Sequence, residues 1–99
     1  MTTPTYSPQF LAYRAAREAL TARVREEAAR MKAIPGGGTG LFGLTPDHIK
    51  ATPEWRQAYH AYWQAHRALA DLNGRNVKRF KREIAQEQRE RRQAALLNR

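Results

Sequence analysis

Three features of this 99-residue chain predict an all-α fold: an antiparallel helical hairpin with a Gly-rich connector and a long basic C-terminal helix. Apolar side chains recur at spacings of three and four in two long stretches, the period of an amphipathic helix. No stretch alternates apolar and polar residues as a half-buried strand does. Five of the six glycines crowd between Gly36 and Gly43, separating the two periodic stretches where the chain must reverse. Residues 1–99 are expected to form a single helical domain.

The first helix is placed at residues 7–33. Ser7-Pro8 is a start signal, an N-cap hydroxyl followed by proline at the first helical position. Phe10, Tyr13, Leu20, Val24, Ala28 and Met31 then form one apolar stripe, while Ala15, Ala16, Ala19, Ala22 and Ala29 raise helix propensity. Arg14, Arg17, Glu18 and Arg25 read as the solvent side. Pro35 and the glycines stop the helix.

Residues 34–52 form the connector, with one short helical turn. Thr45-Pro46-Asp47 offers a capping hydroxyl, a proline and an acid favoured by the helix dipole. The turn ends near Lys50, because Pro53 disfavours helical geometry at Thr52. The connector also contains Gly38-Thr39-Gly40-Leu41-Phe42-Gly43, a literal G-x-G-x-x-G. A dinucleotide site needs a strand to deliver such glycines and a helix opening at the last one. Here a helix precedes them. A phosphate loop would need lysine after Gly43, where Leu44 stands. The glycines therefore read as a reversal. Leu41, Phe42 and Leu44 read as an apolar plug under the hairpin, flanked by Gly40 and Gly43. No cofactor and no small-molecule substrate is expected.

Thr52-Pro53-Glu54 repeats the start signal and opens the long helix, placed at residues 53–97. Its seam runs Trp55, Tyr59, Tyr62, His66, Leu69, Asn73, Val77, Phe80 and Ile84, with one extra residue inserted near Asn73. Asn73-Gly74 is an alternative stop. Because the seam keeps its phase across that pair, one continuous helix is expected. Trp55, Tyr59 and Tyr62 would pack on Phe10, Tyr13, Leu20 and the plug. The long helix would measure about 65 Å against about 37 Å for the first. Past Val77 it would outrun its partner, leaving Phe80, Ile84, Leu96 and Leu97 uncovered, so a homodimer is expected. Trp63 lies off the seam and is assigned, with Phe80 and Ile84, as a protein contact.

Charge is unevenly spread. Lys and Arg number 18 against 9 Asp and Glu, net +9. Residues 1–34 carry net +3, residues 35–74 are neutral, and residues 75–99 hold nine cations against three acids. A basic end of this kind suits an anionic partner, usually nucleic acid. The candidate nucleic-acid-binding residues are Arg75, Lys78, Arg79, Lys81, Arg82, Arg89, Arg91 and Arg92, with Asn73 and Asn76 as possible base contacts. The competing reading is a solvated helix, because Arg79–Glu83 and Glu87–Arg91 stand at ion-pair spacing.

Other chemistries are poorly supplied. Without cysteine there is no disulfide, thiolate metal site or thiol nucleophile. His48, His60 and His66 do not share a face at ligand spacing, so no metal site is expected. No Ser-His-Asp set or carboxylate pair can be placed, so no catalytic residue is assigned and a non-enzymatic protein is expected. No apolar run nears the ~20 residues of a membrane span. The start "MTTPTYSPQF" lacks an export pattern, which leads to a cytoplasmic expectation with no membrane partner.

Gly43-Leu44-Thr45-Pro46-Asp47, Ala51-Thr52-Pro53-Glu54-Trp55, the Tyr/Ala-rich helix into Asn73, and Lys78-Arg79-Phe80-Lys81-Arg82-Glu83 together resemble small proteins of tailed phages and prophages. The resemblance covers roughly residues 43 to 92 and brings no assigned activity or site residues. It implies a bacteriophage protein acting inside a bacterial host cell. Three functions are then in play. The first is an accessory protein binding nucleic acid, or a complex that carries it, through the basic helix. The second is an inhibitor or adaptor of a host enzyme or defence complex. The third is a self-associating structural protein.

Overall fold

In a computed structural model, residues 6–36 and 45–98 are described. Among them are four helices and no strand: α1 (Pro8–Ala33), α2 (Asp47–Lys50), α3 (Pro53–Asn76) and α4 (Lys81–Leu97). The fold is all-α, and α1 and α3 pack as an antiparallel hairpin. The plug residues and Gly38 to Gly43 lie outside the described residues.

Both long start signals work as written. The Ser7 hydroxyl accepts from the Phe10 N–H at 3.1 Å, and that of Thr52 accepts from the Trp55 N–H at 3.3 Å. Thr52 also donates to the Ile49 carbonyl at 2.7 Å, tying α2 to the start of α3. The α2 cap differs from expectation: Pro46, not Thr45, is its N-cap, and no side chain caps it. Gly36 takes φ +85, and a Cβ there would sit 2.8 Å from Ile49 Cδ1. Its lack of a side chain serves both the left-handed turn and the close approach of α2.

The inward face of α3 is offset from the aromatic seam. Trp55, Ala58 and Ala65 are buried, with Leu69, Leu72 and Asn76 half-buried further along the same stripe. Tyr59, expected in the core, is 41% exposed. Small alanines admit α1 closely, so the bulky ring one position along is turned outward. Tyr59 instead stacks on Trp55 at 4.8 Å.

The main correction concerns the long helix. It does not run unbroken from 53 to 97. Gly74 lies inside α3, and the interruption comes later, at residues 77–80. Phe80 leaves helical geometry with φ −108 and ψ 26. The break keeps part of the helical ladder, since the Val77, Phe80 and Ile84 N–H groups all reach the carbonyl four residues back. What it gains is burial. Phe80 is 5% exposed, its ring 5.7 Å from Phe10 and 5.4 Å from Tyr13. Tyr6, Leu72 and Ile84 close the cluster. A straight helix would carry Glu87 about 21 Å past Asn73, out of reach of α1. Instead Glu87 meets Arg17 at 2.7 Å. The chain thus folds α4 back onto the N-terminal half of α1.

Phe80 and Ile84 are therefore covered within one chain and are not open protein contacts. With both side chains packed inside the chain, the seam past Val77 no longer calls for a second copy to cover it. Leu96 and Leu97 stay exposed at 64% and 85%.

Candidate nucleic-acid interface

The electrostatics of α4 start from its three acids. Glu83, Glu87 and Glu90 recur at spacings of four and three, so they share one side of the helix. Glu83 and Glu87 turn toward the N-terminal part of α1, and Glu90, although exposed, is engaged by Tyr6 just before it. Glu83 accepts from the Ser7 backbone N–H at 2.9 Å and from its hydroxyl at 3.1 Å. A capping box would place such a carboxylate in the first turn of α1, where Phe10 stands; α4 supplies it from outside. Glu87, 7% exposed, takes Arg17 on both oxygens at 2.7 Å, with Arg14 and Arg91 each 3.8 Å away. Glu90 accepts from the Tyr6 hydroxyl at 2.7 Å.

Two ionisations respond. Burial and the Glu90 carboxylate push the Tyr6 phenol up. Burial works against charge on Arg17, yet the hydrogen bond and charge attraction of Glu87, with a further contribution from Tyr13, together outweigh it and raise the guanidinium above its ordinary value.

With the acids engaged in this way, the cations are left on the other side. All eight predicted contact residues are exposed. The break at 77–80 brings Lys78, Arg79, Lys81 and Arg82 around one shallow hollow of about 350 Å³, which Phe80 and Glu83 also line. The Arg79 guanidinium lies 4.9 Å over the Phe80 ring. Arg75 precedes this group on α3. Arg89 and Arg92 stand further along α4, on the side away from its acids. Of the eight, Arg91 alone has an acid within 4 Å among the described residues. The Arg79–Glu83 pair read from spacing does not form, because Glu83 is spent on Ser7.

The predicted base contacts do not stand free. Asn73 accepts from the Tyr13 hydroxyl at 2.7 Å, and Asn76 donates to the Leu72 carbonyl at 2.7 Å. Trp63 is 47% exposed, as its off-seam position implied. Spacing had assigned Arg17 to solvent, although it stands four residues after Tyr13 on the buried stripe. The acidic row in α4 was the signal for its partner.

Among the described residues no group of three His, Cys, Asp or Glu is placed to hold a metal, and no helix is long and apolar enough to cross a membrane. No family model, no curated protein and no solved structure matches the chain. Its functional reading therefore rests on side-chain placement.

Proposed function

We propose that this is a non-enzymatic accessory protein that binds nucleic acid through the cations gathered at the α3–α4 break, in keeping with its resemblance to small phage proteins. The observation that carries the reading is the sorting of charge across α4: its three acids are all engaged by Tyr6, Ser7 and Arg17 of the N-terminal segment, and the cations face solvent almost unneutralised. Without α1 the acids would dilute the cations. With it, the outer surface offers phosphates a concentrated positive field.

Fluorescence anisotropy with labelled oligonucleotides tests the reading. Each phosphate neutralised on duplex DNA contributes about −0.9 to the slope of log affinity against log salt, so the five cations at the break predict about −4 to −5. Replacing Arg79 and Arg82 together with Glu should nearly abolish binding while leaving the helical circular dichroism unchanged, because both side chains are exposed. Failure of the wild-type protein to bind single-stranded or duplex probes at ~50 mM salt would overturn it. A protein inhibitor or adaptor is the second reading, supported by the exposed Trp63 and Tyr59, a composition common at contact hot spots.

A further inference from the structure

The outward side of α3 carries an unusual row. Tyr59, Trp63, Arg67, Ala70, Gly74 and Lys78 follow one another at spacings of three and four, and every one is exposed. The first half is aromatic. Tyr59 and Trp63 meet edge to face at 6.1 Å, and both line a groove of about 440 Å³ together with His60, Gln64 and Arg67. The middle is smooth, since Ala70 has only a methyl and a Cβ on Gly74 would meet nothing within 4 Å. The far end, Lys78, belongs to the cationic hollow at the break. Aromatic faces and phosphate-binding cations thus share one strip about 28 Å long.

We propose that this strip seats single-stranded nucleic acid, with bases stacked on Tyr59 and Trp63 and the backbone leading down to Lys78, Arg79 and Arg82. The inference rests on the nucleic-acid reading above and narrows it. A duplex keeps its bases stacked on one another and can offer the strip only phosphates. An open strand uses both halves, because every base has a face to stack and each linkage a charge to neutralise. Charge complementarity favours this occupant over a protein. The cations Arg56 and Arg67 stand along the aromatic half, while the α3 acids are Glu54, in the first turn, and Asp71, beside the row rather than in it.

The test uses the full chain with a fluorescein-labelled oligo-dT strand of about 15 nucleotides and a duplex of equal length. Oligo-dT should bind more tightly than the duplex and should quench the emission of Trp63, a signal that Trp63→Phe removes because Trp55 is buried. Trp63→Ala and Tyr59→Ala should each weaken oligo-dT binding about tenfold and leave duplex affinity within about twofold. If both variants bind oligo-dT like the wild type while the Arg79→Glu/Arg82→Glu pair abolishes binding, the strip is not the seat and the cationic reading stands. If the charge-reversed pair binds as well as the wild type, or the wild type binds neither probe, both readings fall, and the Tyr59–Trp63 row reverts to a protein contact.

Discussion

Arg17 is the residue whose assignment changed most. Spacing put it on the solvent side of the first helix, and it proves to be the partner of a carboxylate 70 residues away. No local rule reaches so far, and the i,i+4 rule offered Glu87 a nearer partner in Arg91, which stands only at 3.8 Å. Because Glu87 is almost fully enclosed, Arg17→Ala should cost about 3 kcal/mol, the low end for a buried pair broken on one side, since the Arg17 side chain keeps 17% exposure. Urea unfolding measures it. A loss below about 1 kcal/mol would place the pair with ordinary surface ion pairs. The caps, by contrast, were fully legible at Ser7 and Thr52, because an N-cap is written in four consecutive residues.

At the scale of elements, helix starts and the α1 stripe followed from propensity and period. The break did not. The sequence offers Asn73-Gly74 as the place to stop, yet α3 runs through Gly74 in open space and yields at residues 77–80. The deciding term is tertiary: Phe80 reaches the Phe10–Tyr13 pair only if the helix bends there. Continuous phase in a seam shows that a helix is possible, not that its partner is long enough. Phe80→Ala should therefore destabilise the fold by about 3–5 kcal/mol and release α4 together with it. Limited trypsin digestion would report the release as faster cleavage at Arg89 to Arg92. Unchanged cleavage together with an unchanged melting temperature would mean that the three carboxylates alone hold α4.

The whole molecule is a thin plate of 59 × 34 × 17 Å with a radius of gyration of 18.2 Å, against about 13 Å for a compact chain of this length. Such a shape leaves little interior, and the buried aromatic cluster sits where α1, α3 and α4 meet. The pairing that would have covered Phe80 and Ile84 in a dimer takes place inside one chain. Sedimentation equilibrium at tens of micromolar should accordingly give a mass near 11.4 kDa with a raised frictional ratio. Twice that mass would point to pairing through exposed apolar side chains, of which Leu96 and Leu97 are the most open and Trp63 and Val77 the next.

The cluster at the junction of α1, α3 and α4 has a consequence for how the plate breathes. Amide hydrogens around Phe10, Asn73 and Ile84 lie where aromatic packing, the borrowed cap and the buried ion pair all coincide, so only near-global opening exposes them to exchange. Beyond Glu90 every described α4 side chain is exposed, and its amides should trade hydrogen for deuterium within a local unzipping from the C-terminal tip. Mass-resolved exchange would trace a gradient that falls along α4, placing the most persistent amides from Ile84 onward, where the N–H groups are bonded, and the most labile backbone beyond Arg92.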